Sequence, residues 1–253
     1  MWKLDLTKLN LVDANPSSPN LLRVFDTEST LDNDRFGFNQ LGSTIVGGSS
    51  SDSYIFHYFG TGDQTRIQRR SISSSGAVIN NRIYGISDPD FPLPTLSNPN
   101  KSVSRGGLTN INSSSSSCVA TNSWYADVCA KTTGISCGIS DNQKIIGRAG
   151  VFNKQVYFSA YRPDDPPAGQ CSYTGASRLI EVSDLCSGTK SLVIGPGLAT
   201  APVIDRRGNI YVGVSNIPAG SKLLSGRDNI AKLVSTNKKP GGTVQYKSWR
   251  EVR

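Results

Sequence analysis

Apolar and polar positions alternate along this chain in short runs separated by turn residues. Residues 54–60 (YIFHYFG), 156–161 (VYFSAY) and 210–215 (IYVGVS) are three apolar runs. Each is followed, after a polar stretch, by a second run that opens on a small or polar residue and closes on an apolar residue and serine. These second runs are 81–87 (NRIYGIS), 177–183 (SRLIEVS) and 229–235 (NIAKLVS). A related run, 2–6 (WKLDL), opens the chain. Runs of this length, bounded by turn residues and rich in β-branched and aromatic side chains, predict strands. A strand-only repeat of about 50 residues predicts an all-β chain of the β-propeller type, with about four strands per blade.

The repeats divide the chain. Residues 1–27 read as the end of a blade, with 2–6 a strand and 21–26 (LLRVFD) its outer neighbour. Complete repeats follow at roughly 43–100, 144–194 and 199 to the end. Residues 200–205 (TAPVID) are expected as an innermost strand, 206–209 (RRGN) as a hairpin turn and 243–249 as a fourth strand. The same plan recurs at 147–152 (GRAGVF), with Asn153-Lys154 as the turn. Residues 88–100 hold four prolines and are excluded from a central strand. Residues 98–138, with a serine run at 113–117, read as an exposed, Cys-containing insertion. About three and a half blades fall short of the four to eight of a closed ring, and an open sheet edge is a liability. The expectation is therefore the C-terminal part of a larger propeller, with N-terminal blades or a partner chain completing it.

Composition fits this reading. The chain has 253 residues, 25 glycines, 13 prolines and one methionine, and only 18% of its residues are charged. No run of 18 apolar residues predicts a transmembrane segment, and the N-terminus lacks the apolar region of a signal peptide. The net charge of +8 comes partly from basic pairs in turn-like segments, Arg69-Arg70, Arg206-Arg207 and Lys238-Lys239, which read as a solvated rim. No aromatic-and-arginine platform is present, so no nucleic-acid partner is expected.

Five cysteines, Cys118, Cys129, Cys137, Cys171 and Cys186, are clustered and form no CxxC. Loops poor in apolar residues gain from covalent closure in an oxidising compartment. Disulfides Cys129–Cys137 or Cys118–Cys137, and Cys171–Cys186, are expected. The one histidine, His57, lies in an apolar run and reads as a core or inter-blade residue. No nucleophile motif accompanies it. Asp63, Asp88 and Asp205 read as turn formers whose carboxylates bond backbone amides. The acidic, proline-rich loop at Asp164-Asp165 and the segment around Trp124 and Tyr125 in the insertion are the candidate partner-binding loops. No catalytic, cofactor-binding or metal-ligating set is expected.

Several segments carry a family resemblance. Trp2-Lys3-Leu4-Asp5-Leu6 resembles the GNLWKxDL strand of the PilY-type proteins of bacterial type IV pili. Phe59-Gly60-Thr61-Gly62-Asp63 resembles their FGTGD turn, and residues 81–88 (NRIYGISD) are similar to their NRxYAIxD strand. Residues 201–205 (APVID) with 208–213 (GNIYVG), and the ending 248–252 (SWREV), resemble their last blade.

This resemblance implies a surface protein at or near the pilus tip. Such a protein supports pilus assembly and adhesion, with minor and major pilins and a host or abiotic surface as partners. Members of the family often carry an EF-hand-like calcium loop before the WKxDL strand, so Ca²⁺ is expected in a segment upstream of this chain. The acidic cluster Asp26, Glu28, Asp32 and Asp34 lacks the central glycine and the bidentate twelfth residue of such a loop, and reads as a polar loop. Two rivals remain: a periplasmic or outer-membrane β-propeller scaffold, and a quinoprotein dehydrogenase. The latter needs a ring-stacking tryptophan beside acidic ligands, and none of Trp2, Trp124 and Trp249 has acidic neighbours of that kind.

Overall fold

A computed structural model describes residues 2–4, 21–23, 25, 27, 35, 37, 39–46, 54–65, 67, 76, 79–88, 103, 105–112, 122–128, 143–164, 175–183, 189–215 and 230–234. These residues are all-β, with a single 3₁₀ turn at Arg105–Gly107 and no α-helix among them. The strands are β1 Trp2–Leu4, β2 Leu21–Arg23, β3 Gly42–Val46, β4 Tyr54–Gly60, β5 Arg82–Ser87, β6 Thr109–Asn110, β7 Trp124–Asp127 and β8 Lys144–Ile145. They continue with β9 Gly150–Phe152, β10 Gln155–Pro163, β11 Gly175–Ser183, β12 Thr189–Pro196, β13 Val203–Ile204, β14 Asn209–Gly213 and β15 Ile230–Val234.

The strands form four sheets. β1 and β2 pair as an antiparallel ribbon. The first large sheet has the order β3-β4-β5-β7-β6, antiparallel except for the parallel β6–β7 pair. The second runs β12-β11-β10, with β8 and then β9 pairing along the free side of β10. The third runs β13-β14-β15. The chain runs to the next neighbour from β3 to β5, from β9 to β12 and from β13 to β15; in the first sheet it then passes to the edge strand β6 before β7 fills the place between β5 and β6.

Alternation decides which side chains each sheet buries. In the first sheet Tyr58, Gly85 and Trp124 are cross-strand neighbours, as are Gly60, Ile83 and Ala126. That face joins Val156, Phe158, Ala160, Ile180 and Val182 of the second sheet in one core. The opposite face carries Phe59, Tyr84 and Tyr125, and Phe25, just after β2, packs on it with ring centroids 5.3 Å from Tyr84 and 6.2 Å from Phe59. The second sheet is covered on both faces. Tyr157, Tyr161 and Leu179, on its far side, pack against Ile210, Val212 and Val214 of the third sheet. A sheet buried on both faces needs apolar residues at nearly every position, and this explains why 156–161 reads as a continuous run.

Two glycines permit this packing. A Cβ at Gly60 would overlap the Ile145 side chain of the second sheet, and one at Gly85 would lie inside the Trp124 indole. The indole covers the gap that Gly85 leaves in its own sheet.

The expected insertion at 98–138 is not wholly an insertion. Its residues 109–110 and 124–127 are β6 and β7, the outer strands of the first sheet. β7 has only four residues, and the serine-rich segment before it hid its pairing partner. Residues 243–249, expected as a strand, lie outside the described residues.

Candidate functional site

The strands β3, β9 and β13, one from each of the three larger sheets, lie side by side in chain order, β9 touching both of the others. None of the three is hydrogen-bonded to another, so among the described residues each has one unpaired edge. Around these edges the structure builds three features: a polar seam, a pair of hairpin turns and a groove.

The seam joins the first two sheets beyond β4. Asn81 donates from Nδ2 to the Gln143 carbonyl at 2.9 Å. Thr61 exchanges bonds with Arg82 through its amide (2.9 Å) and its Oγ1 (2.9 Å). Its carbonyl accepts the Ile145 amide at 3.1 Å. Asn39 accepts from the Gly147 amide at 3.0 Å and from Gln64 Nε2 at 2.7 Å. Lys144, fully buried, donates to the Asp63 carbonyl at 3.1 Å. These bonds satisfy backbone groups where the chain steps between sheets. The Gln143 side-chain amide, with the residue 0% exposed, makes no hydrogen bond.

The two turns lie at the other end of β9 and β13. Asn153 and Lys154 both have positive φ (45° and 64°), the two-residue hairpin geometry that suits the strand twist. The turn after β13 is longer and closes on Gly208, whose φ of 79° favours glycine. It is organised by Asp205. One carboxylate oxygen accepts the amides of Arg207 (2.8 Å) and Asn209 (2.9 Å), and the other accepts Asn209 Nδ2 (2.6 Å) and the Tyr211 hydroxyl (3.3 Å). The Asn209 side chain, with these other donors, holds the carboxyl below its ordinary value, outweighing desolvation. Asp205 is thus spent on its own turn. Arg206, Arg207 and Lys154 are exposed, and no ion pair to them occurs among the described residues. Phe152 touches Gly208, so the two turns are adjacent.

The groove lies where β9 and β13 meet. It is lined by residues 148–151 and 201–204 and encloses about 360 Å³. Gly150 faces Pro202 and Ile204 across its floor, with the nearest atoms 3.1–3.2 Å from where a Cβ would stand. Arg148 is exposed at one end, and Val203 is 64% exposed along one wall.

The residues singled out by sequence are dispersed over the sheets. Trp124, expected in a partner-binding loop, is a β7 core residue, 0% exposed, with its ring 6.1 Å from that of Tyr58. Tyr125 is also in β7 and lies under the Arg82 guanidinium, 4.3 Å from Cζ to ring centroid. Burial disfavours the Arg82 charge, but the hydrogen bond and charge of Asp127 at 2.7 Å prevail, so its proton is held more tightly than usual. Both residues are committed to the sheet, which corrects the expectation of a loop there.

Asp164 follows β10 and pairs with Arg162 at 3.2 Å. Burial and then the Asp164 charge raise the neighbouring Tyr161 hydroxyl above its ordinary pKa. Asp165 lies outside the described residues. So do Cys118, Cys129, Cys137, Cys171, Cys186, Trp249 and the acidic cluster Asp26, Glu28, Asp32 and Asp34. His57 is half-buried on β4, its Nδ1 2.9 Å from Ser43 Oγ. Asp63 accepts the Thr65 amide (2.9 Å) and hydroxyl (2.6 Å), forming the expected turn. Asp88 is buried, its amide bonded to the Ile55 carbonyl at 2.8 Å.

Among the described residues no group of three His, Cys, Asp or Glu side chains is placed to hold a metal ion, and no helix is long and apolar enough to cross a membrane. The groove escaped sequence reasoning because its two walls are about 50 residues apart in the chain, although the Arg206-Arg207 turn beside it was visible. No family model, curated protein or solved structure matches this chain.

Proposed function

We propose that this chain supplies blades to a β-propeller in a type IV pilus-associated surface protein that supports pilus assembly and adhesion and carries out no catalysis. The observation that supports the architecture is the succession of three mainly antiparallel sheets in chain order, with β3, β9 and β13 abreast. Radial meanders around an axis have this arrangement. A ring takes about four to eight of them, so the proposal includes further blades, from additional sequence or a partner chain.

The pilus assignment rests on the PilY-type resemblance. Its segments occupy coherent places: the FGTGD-like turn follows β4, the NRxYAIxD-like segment is β5, and the APVID and GNIYVG segments form the β13–β14 hairpin. The location that follows is extracellular, at the pilus tip or outer cell surface. The partners are minor and major pilins and a host or abiotic surface, with calcium bound, where present, by an upstream segment. The unpaired strand edges and exposed basic turns are features that suit a docking protein.

The test is deletion of the gene in its piliated bacterium, with quantitation of pilin sheared from the surface. Surface pilin and adhesion are expected to fall together and to be restored by complementation. Unchanged surface pilin and adhesion would overturn the proposal. Loss of outer-membrane integrity with pili retained would favour the scaffold reading instead.

A further inference from the structure

We propose that the groove between β9 and β13 is a docking site for an extended acidic peptide segment. The inference needs only these two strands and their turns, and stands apart from the pilus assignment.

Three observations carry it. First, among the described residues β9 pairs only with β10 and β13 only with β14, so each keeps one unpaired edge, and because the two strands touch, an extended chain would pair with one edge and lie across the other. Such edges recruit an extended chain through main-chain bonds, with alternate side chains placed in pockets. The contacts Gly147 with Ala201, Gly150 with Pro202, and Phe152 with Gly208 show that the two edges run alongside each other in the same direction. Second, the lining is apolar where side chains would insert: Ala149, Val151, Pro202 and Ile204. Val203 stands 64% exposed beside them. A lone exposed valine is ordinary, but one on the wall of an apolar groove with a free backbone edge is a contact point.

Third, the charge is one-sided. Arg148 stands at one end of the groove, and Lys154, Arg206 and Arg207 lie in the turns at the other. None of the four is in an ion pair among the described residues. Asp205, the acidic group within the second turn, accepts four bonds from its own turn and strand. Asp205 stays ionised, so the four cations less this one carboxylate leave a net positive charge around the groove, which favours carboxylates spaced along an extended chain. Four residues on each wall, at about 3.3 Å per residue, span about 13 Å, so a segment of five to seven residues covers the groove and reaches both ends.

An anionic membrane is the alternative for the charges alone. It uses neither an unpaired strand edge nor the groove. The experiment therefore separates the two.

The probe is a fluorescein-labelled heptapeptide of alternating glutamate and valine, followed by anisotropy with the full chain. The matching lysine–valine peptide and vesicles with and without phosphatidylglycerol serve as comparisons. The acidic peptide is expected to bind with a Kd of about 10–100 μM that weakens with salt, and the basic peptide is expected not to bind. Arg206→Glu with Arg207→Glu, and separately Val203→Asp, should each weaken binding at least about tenfold. These positions are exposed, so the thermal melt should be unchanged.

The inference is overturned by equal binding of acidic and basic peptides, by no binding at about 1 mM, or by Val203→Asp leaving affinity intact. Vesicle binding that depends on phosphatidylglycerol, survives Val203→Asp and displaces the peptide would assign the cations to a membrane and overturn it as well.

Discussion

Replacing Trp124 by alanine empties the middle of the first sheet. The indole is fully buried, meets the Tyr58 ring and fills the space above Gly85. Truncation of a buried aromatic to alanine costs about 3–5 kcal/mol, part transfer and part cavity. The Trp124 Nε1 makes no hydrogen bond, so none of that cost is a lost polar contact. Trp124→Phe should therefore be mild. It gives up about 1 kcal/mol of apolar burial and relieves a buried unsatisfied donor, itself worth about 1–3 kcal/mol. Stability between about that of wild type and about 2 kcal/mol above it follows. Gly85→Ala introduces a methyl into the indole's place and should cost about 1–3 kcal/mol. With Trp124 already truncated that clash is gone. The double variant should then be more stable than the sum of the single changes by about 1–3 kcal/mol. Urea unfolding followed by far-UV circular dichroism measures all four proteins. If Trp124→Ala shifts stability by less than about 0.5 kcal/mol, as an exposed loop residue would, or if the two changes simply add, the placement of residues 124–127 in the sheet is wrong.

Gln143 offers the opposite sign. Its side-chain amide is buried with neither atom bonded, so Gln143→Leu should be neutral or stabilising by about 1 kcal/mol; a loss of more than that in thermal melts would show an unrecognised partner. Two titrations set the pH dependence. Asp205 has a folded pKa below 3.8, so its contribution is present above the unfolded value and is lost as pH falls through the folded one. Tyr161 has a folded pKa above 10.0, so its contribution is present below the unfolded value and is lost as pH rises through the folded one. In acid melts Asp205→Asn should flatten the stability loss below pH 3.8. Tyr161→Phe should do the same above pH 10.0, and slopes matching wild type would refute either assignment.

The strands that sequence made legible are those with local, repeated signals. β4, β5, β10, β11 and β14 announce themselves by apolar runs closed by turn residues, and the Asp205 turn by its Gly208-Asn209 ending. β7 did not, because four residues between serine- and cysteine-rich stretches carry no periodicity. A signal for it existed in Gly85. A glycine in the middle of a buried strand leaves a gap, and a bulky cross-strand partner closes it, which made Trp124 the natural candidate. The groove was illegible for a different reason. It depends on two strands from separate repeats coming abreast, and on Asp205 bonding its own turn while Arg206 and Arg207 stay exposed. The first is tertiary and the second is hydrogen-bond geometry; neither is written in spacing.

The most direct test of the central proposal is where the protein resides. Immunogold labelling of intact piliated cells with an antibody to this chain should place it at pilus tips and on the outer surface, and the label should be absent from a deletion strain. Label that appears only after the outer membrane is opened would contradict a surface role in pilus assembly and adhesion.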